Sequence, residues 1–304
     1  VGTMGTMRND TEVLTRNVTP RGKLEMLEWS DSFVGIRGAF AVQGWTLGYN
    51  LEANVDFDGS FTRNAQNGDR WVWAEHPRVG RISYGRFDSI YRDAGDRVRM
   101  LGVSSANFVS TARVQSNVGW RAAGATTFNS ESDRHVTWVS PTFNGFDLHL
   151  GHAQDSAITA PGLRSSMNAA VLRWRGGPWY AAVMTEIHRN HLPLSLVTDP
   201  TAAPPAATSI RNHMGSSTSR DQAWRLSGGW SQGAWRFGAD LSRLRYTEND
   251  TRALAGKFRA YENTTMQFAG EYRVNPQIRL GVNHARASAG SCELSGGVAC
   301  STFG

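Results

Sequence analysis

Eight residues, 45–52, alternate without a break between large apolar side chains and small or polar ones. Trp45, Leu47, Tyr49 and Leu51 form the apolar set, and Thr, Gly, Asn and Glu fill the positions between and after them. Because successive side chains of a β-strand point to opposite faces, such a segment has one apolar face and one polar face. The same alternation returns along the chain, so strands that separate two different environments are the main constraint on its fold.

The connections between these segments alternate in length. Short turns fall near residues 43–44, 76–80, 141–145, 176–178, 231–233 and 275–276, and longer stretches occupy 56–69, 87–133, 155–166, 189–220 and 247–256. An antiparallel meander produces this order when every long loop lies at one end, as in outer-membrane barrels. A soluble sandwich would have to bury its Trp-rich faces against one another and does not require this asymmetry. The sequence therefore predicts an all-β, transmembrane, antiparallel up-and-down β-barrel that forms a single domain over residues 1–304.

The composition is consistent with such a barrel and argues against other classes. No run of about 18 apolar residues exists, so no transmembrane helix is predicted. The mean hydropathy of -0.41 does not exclude a membrane protein, because barrel strands carry apolar side chains only at alternate positions. The net charge is +6, and the Arg residues recur singly in the polar phase of strands, at Arg70, Arg81, Arg173, Arg225, Arg236 and Arg279. This spacing predicts a positively charged inner surface and no nucleic-acid partner.

Two cysteines, Cys292 and Cys300, lie close together in a segment rich in Gly and Ser near the end of the chain. Two cysteines in one loop indicate a local disulfide and an oxidising compartment, and two free thiols are the alternative. His149 and His152 are also near one another, but a metal site needs a third ligand that the sequence does not offer. We therefore predict neither a metal site nor a cofactor.

The tryptophans offer a second membrane signal. An indole combines an apolar body with a polar N–H, which suits the boundary between lipid and water. A track of rings that stacks on sugars is the alternative for these residues. Most of the six share the apolar phase, which favours an interfacial girdle made of Trp71, Trp73, Trp179, Trp224, Trp230 and Trp235.

Four stretches together resemble the Gram-negative general porins: Ser32–Gly38, Tyr84–Arg86 with Tyr91, Trp138–Phe146, and Gly290–Thr302. The resemblance runs from about residue 30 onward. It implies an outer-membrane homotrimer of sixteen-stranded barrels, each with a water-filled pore that its third loop narrows by folding inward. The segment of about 87–133 occupies the position of that loop.

Two features depart from the family pattern. Phe33 stands where some members carry an additional wall Arg. Sixteen strands do not fit into the chain, and a terminal strand ending in an aromatic residue is absent. Because an unclosed barrel would expose unpaired backbone to lipid, we expect terminal strands beyond this sequence, with a smaller closed barrel as the alternative.

The candidate pore residues are Arg side chains of the wall and charged residues of the inward-folded loop. The resemblance and the strand phase assign Arg37, Arg70, Arg81 and Arg86 to the constriction wall. The loop contributes acidic counter-charges at Asp88, Asp93 and Asp96 and further positive charge at Arg92, Arg97 and Arg99. The alternative is that these loop charges face the mouth or a neighbouring subunit. Since positive side chains in a narrow wet passage favour anions, the sequence predicts an anion preference.

The predicted function is passive diffusion of small hydrophilic solutes and ions across the outer membrane of a Gram-negative bacterium. The expected partners are membrane lipid, lipopolysaccharide, two further copies of the chain, and small solutes. The sequence offers no local His/Ser signature of a hydrolase, so no enzyme is predicted. A substrate-selective channel and a non-conducting structural or adhesive barrel are the alternatives, and planar-bilayer conductance distinguishes a channel from a closed barrel.

Overall fold

The computed structural model describes residues 3–9, 22–28, 33–54, 68–95, 128, 131–154, 165–190, 217–250, 258–288 and 290–294. These residues contain one helix, α1 (Ile90–Gly95), and the following strands: β1 (Thr3–Asn9), β2 (Gly22–Glu28), β3 (Phe33–Val42), β4 (Trp45–Asn54), β5 (Arg70–His76), β6 (Gly80–Asp88), β7 (Glu131–Val139), β8 (Phe146–Ala153), β9 (Ser166–Gly176), β10 (Trp179–Arg189), β11 (Ser217–Gln232), β12 (Trp235–Asp250), β13 (Phe258–Arg273), β14 (Arg279–Ala287) and β15 (Ser291–Leu294). Among them, no helix is long and apolar enough to cross a bilayer.

The strands β3 to β14 pair in chain order, each antiparallel to the next, and β1 pairs with β2 in a separate small sheet. Tight hairpins join many of the neighbouring strands at one end of the large sheet. Two of them, Gln43–Gly44 and Asn144–Gly145, have positive φ at both central residues, the type I′ geometry that matches the twist of a β-hairpin. The all-β, antiparallel up-and-down fold predicted from the sequence is therefore confirmed.

The last two strands, β14 and β15, pair one after the other with the same edge of β13. The β14 strand pairs with residues 265–273, and β15 pairs with residues 258–262. Between them, Ser288 donates its backbone N–H to Thr264, and Gly290 has a φ of 73° that favours glycine. Cys292 thus belongs to a strand, opposite Tyr261, and not to the loop that the sequence suggested. Cys300 lies outside the described residues, so the disulfide stays a prediction.

The two faces of the sheet have opposite chemistry. One row of outward side chains runs in register across six strands and is apolar and exposed throughout: Leu148, Leu172, Val183, Leu226, Leu241 and Met266. The adjacent inward row contains Asp147, Arg173, Ser227, Asp240 and Gln267. Exposed apolar and enclosed polar side chains are the reverse of a water-soluble protein, and they match a barrel with lipid outside and a polar bore.

The outward face is divided into bands along the strands. At the hairpin end, Trp235 packs against Tyr272 with ring centroids 4.5 Å apart, and Trp179 and Trp230 lie nearby. Arg243, the first charged residue on the same face of β12, is exposed and lies eight residues further along. At about 3.4 Å per residue and a tilt of about 40°, this spacing corresponds to an apolar band of about 20 Å. The exposed positions of Trp179, Trp224 and Trp235 agree with an interfacial girdle.

Trp71 and Trp73 do not belong to this girdle. The register places Trp71 opposite Asn50 and Trp73 opposite Gly48, on the inward face. Their neighbour Val72 is exposed on the outward face beside Tyr49. The interpretation of these two tryptophans as lipid-facing residues was therefore wrong, because apolar side chains occupy both phases of β5.

We predict that Leu226→Arg lowers the free energy of unfolding by about 2–4 kcal/mol, the cost of an Arg near the bilayer midplane. Leu226 lies within the apolar band, opposite Leu241 of β12. The matched control is Gln222→Arg, on the same strand and face but four residues nearer the loop end, where the expected cost is about 0–1 kcal/mol. Equilibrium unfolding in lipid bilayers measures both variants. Equal costs would show that the band does not lie at this height.

Candidate functional site

The connection between β6 and β7 spans 89–130, and its described part lies against the inner face of the sheet. Helix α1 packs on β9, β10 and β11. Small side chains on these strands, Ala169, Ala182 and Ala223, leave room for the loop. The loop contributes Ile90, Tyr91, Ala94 and Phe128 to a buried apolar cluster that includes Val171, Met184, Leu244, Tyr246 and Tyr261 of the wall. The described apolar side chains of the loop therefore pack on the wall of β9–β13.

Polar contacts fix α1 to the same wall. The hydroxyl of Tyr180 donates a hydrogen bond to the carbonyl of Ala94 at 2.5 Å, and Nη1 of Arg225 donates to the carbonyl of Tyr91 at 3.5 Å. The last carbonyl groups of a short helix have no N–H donor within the helix, and these two hydrogen bonds supply donors from the wall. The Arg225 guanidinium also lies 5.7 Å from the centre of the Tyr91 ring. Burial raises the pKa of the Tyr91 phenol, and the nearby Arg225 charge offsets this only in part.

Arg225 is held by a buried carboxylate. Its Nη2 lies 2.5 Å from Oδ2 of Asp240, and the Ser227 hydroxyl bonds to the other oxygen of the same carboxylate. Arg225 and Asp240 are almost completely buried. A second buried pair, His188 and Glu186 at 2.9 Å, lies under Phe128, whose ring stacks on His188 at 4.7 Å. The loop thus rests on two buried charged or polar pairs that keep its backbone in one place.

The open passage lies on the other side of α1. A cavity of about 820 Å³ extends between Ile90 and Asp93 of the helix and the inner face of β5–β9. The side chains that line it include Trp71, Arg81, Phe87, Thr137, Asp147, His149, Arg173 and Arg175. A second cavity of about 550 Å³ adjoins Trp71 on β3–β5 and is lined by Arg37, Asn50 and Glu52. The described part of the loop therefore packs on β9–β13, and both cavities lie along β3–β9.

Asp147 organises the basic side chains of this passage. Its carboxylate accepts Nε of Arg173 at 2.8 Å and Nη2 of Arg175 at 2.9 Å. Nε2 of His149 lies 2.6 Å from the same carboxylate. His152 is on the opposite face and contacts Asn168, so the two histidines do not converge. Among the described residues no group of three possible metal ligands is found.

Further arginines follow the inner face towards the hairpin end. Arg236 and Arg279 both flank Glu271, at 3.5 and 3.8 Å. Arg81 binds Glu75 at 2.6 Å and places its guanidinium 4.4 Å from the centre of the Trp73 ring. The sequence analysis had already placed Arg81, Arg173, Arg236 and Arg279 in the polar phase of strands. Of these four, it assigned only Arg81 to the pore.

The pairing register sorts the four predicted wall arginines into two groups. Arg37 lies opposite Asn50, and Arg81 lies opposite Glu75, both in inward rows. Arg70 lies opposite Leu51 and Arg86 lies opposite Arg70, which is the outward row. Arg81 and Arg86 are five residues apart on one strand, so strict alternation cannot turn both inward. The inward phase predicted for Arg70 and Arg86 is therefore wrong.

The loop charges are only partly described. Arg92 binds Asp88 at 2.5 Å across one turn, so each is neutralised by the other. Asp93 is exposed and lines the large cavity. Asp96, Arg97 and Arg99 lie outside the described residues. Asp93 on α1 therefore lies across the large cavity from the wall residues Arg81, Arg173 and Arg175.

Comparisons with known proteins agree with this architecture. A family model described as Gram-negative porin matches residues 8–291. The structure is similar to an anion-selective porin from Comamonas acidovorans, with a TM-score of 0.65, 14% identity, and coverage of 88% of this chain and 72% of that chain. It is also similar to OmpT, an outer-membrane protein of Vibrio cholerae, with a TM-score of 0.57, 11% identity, and coverage of 97% and 76%. No curated protein sequence matches the chain.

Arg225→Met should lower the free energy of unfolding by about 3–5 kcal/mol, because it removes the guanidinium from the buried Asp240 carboxylate. The double variant Arg225→Met with Asp240→Leu should recover most of this loss, since no isolated charge then stays buried. Guanidinium-chloride unfolding in detergent micelles measures both. A double variant that is no more stable than the single one would show that the pair is not an isolated electrostatic unit.

Proposed function

This chain belongs to the Gram-negative porins, which are channel proteins of the outer membrane, and from that premise we propose an anion-preferring diffusion channel for small hydrophilic solutes and ions. The family and the outer-membrane location expected from the sequence are confirmed by the match over residues 8–291. Porins act as channels and not as enzymes, so the function depends on the charge and width of the bore.

The observation that carries the anion preference is the unequal exposure of the two charge signs in the clusters around Asp147 and Glu271 on the inner wall. The Asp147 and Glu271 carboxylates are 1% and 3% exposed, whereas their partners Arg175, Arg236 and Arg279 are 46%, 39% and 50% exposed. Each carboxylate also has two arginine partners, which leaves one positive charge in excess at each cluster. A solute in the bore therefore meets guanidinium groups, which attract anions and repel cations.

The loop that bears α1 is proposed as the constriction of a single barrel domain. It occupies the wall of β9–β13 and leaves the passage beside Arg81 and Arg37. Asp93 is the acidic residue that faces this passage from the helix. The similarity to an anion-selective porin supports the channel fold on which the proposal depends.

We expect Arg175→Gln combined with Arg236→Gln to lower the permeability ratio of chloride to potassium. Both guanidiniums are exposed in the bore, and their removal takes two positive charges from the path of the ion. The reversal potential of single channels in a tenfold gradient of KCl should move towards the cation value. This measurement also shows whether the protein conducts at all, which separates a channel from a structural or adhesive barrel.

The matched control is Arg70→Gln, which removes an exposed arginine from the outward row. Its reversal potential should equal that of the unaltered channel. An unchanged potential in the double variant, or an equal shift in the control, would remove the inner arginines from the ion path.

We further propose that the channel is a homotrimer that binds lipopolysaccharide. Arg189, Arg220 and Arg245 are exposed on the outward face at the loop end of three adjacent strands. Outer-membrane barrels place their long loops on the external side, so the loop end of these strands is external. Guanidinium groups there suit the phosphates of an outer-leaflet glycolipid.

Native mass spectrometry of the purified channel should show three subunits with bound lipopolysaccharide. Arg220→Glu combined with Arg245→Glu should reduce the bound lipopolysaccharide, because two attractive charges become repulsive. Arg78→Glu, in the exposed turn at the opposite end, is the control and should retain it. A monomeric mass would refute the trimer, and equal lipopolysaccharide in both variants would refute the binding surface.

A further inference from the structure

Trp71 and Trp73 are placed unusually for a water-filled bore. The tryptophans with strongly exposed side chains in the described strands, Trp179, Trp224 and Trp235, face outward. Trp71 and Trp73 instead share the inward face with Asn50 and Ser83. Large apolar rings in contact with a polar passage are characteristic of ligand sites and not of a solvated wall.

The wall is shaped to let these indoles lie against it. Gly48 lies opposite Trp73, and a Cβ atom at this glycine would stand 2.3 Å from Cε2 of the indole. Gly85 lies opposite Trp71 and has a φ of 151°, and a Cβ there would stand 2.7 Å from Cβ of Trp71. Glycine allows this close approach, so the Trp73 ring rests on the backbone at Gly48, and the Trp71 Cα and Cβ lie close to Gly85.

The rings are also held in position from other sides. The Arg81 guanidinium covers Trp73 at 4.4 Å and is fixed by Glu75 through Nε and Nη2. Trp71 contacts Phe87 at 5.7 Å between centroids, and Phe87 stacks on His135 at 4.5 Å. Rings fixed in this way bind a flat partner with little additional ordering cost.

Guanidinium groups lie on both sides of this aromatic surface. Trp71 lines the large cavity together with Arg81, Arg173 and Arg175, and it lines the smaller cavity together with Arg37. An arginine binds a carboxylate through two parallel hydrogen bonds, and an aromatic ring stacks on an indole or guanidinium plane. The combination matches a solute that carries a planar ring and a carboxylate.

We propose that Trp71, Trp73 and Arg81, with Arg37, Arg173 and Arg175, form a binding site in the pore for aromatic carboxylates. This inference rests on the proposed function, since it names a solute class for the same channel. The Trp71 ring recognises the flat ring of the solute. The nearby guanidiniums take the carboxylate. A neutral ring or a non-planar carboxylate satisfies only half of the site.

The test uses single-channel current in planar bilayers with KCl and compares three probes: benzoate, cyclohexanecarboxylate and benzamide. Benzoate should block at a concentration about three- to tenfold lower than cyclohexanecarboxylate, which has the same charge but no flat ring. Benzamide, which has the ring without the charge, should block more weakly than benzoate. Equal block by the two carboxylates in the unaltered channel would overturn the inference.

Variants assign the preference to the proposed residues. In Trp71→Leu combined with Trp73→Leu, the ratio between the two carboxylates should fall to about one, and Trp71→Leu alone replaces it if the double variant does not insert. Trp179→Leu, on the outward face, is the matched control and should keep the ratio. Arg175→Gln should weaken both carboxylates alike. A retained ratio in the Trp71 variants would overturn the site, whereas an absence of any KCl conductance would overturn the proposed function itself.

Discussion

The structure depends on one constraint: a backbone in contact with lipid must satisfy its hydrogen bonds within the protein, so paired strands must separate the membrane from the bore. Every strand then has to serve two environments with alternating side chains. The outward row from Leu148 to Met266 and the inward row beside it show this division one residue apart. A shift of register by one residue would turn the arginines to lipid and the leucines to water, which fixes the register strongly.

Within that wall, the position of α1 decides where the pore runs. The helix is anchored by Tyr180 and Arg225 to β10 and β11, and Phe128 is anchored to His188. In the described part of the loop these contacts lie on β9–β13, and the large cavity lies beside β5–β9. Under the proposed function, Arg81 and Arg175 lie on the ion path, whereas Arg225 acts by holding the loop.

The same geometry links charge and shape in the passage. The carboxylates of Asp147 and Glu271 are buried, whereas their partners Arg175 and Arg236 are exposed. At these two clusters the wall therefore presents guanidinium groups to the water. Trp71 and Trp73 add rigid rings among those groups. Selectivity in such a wall comes from which part of each ion pair reaches the water, a property that a net charge of +6 does not express.

The alternation, the unequal loops and the family motifs were enough to predict an antiparallel barrel and its lipid-facing row, because strand periodicity is local. Arg37 and Arg81 lie in the inward phase that the sequence predicted. Arg70, Arg86, Trp71 and Trp73 do not lie on the predicted faces, because β5 and β6 carry similar residues in both phases and only the pairing with β4 fixes their faces. The Asp147 and Glu271 clusters and the anchoring of α1 join residues far apart in the chain. Local pattern thus determined the wall, and tertiary pairing alone decided which charges and rings face the water.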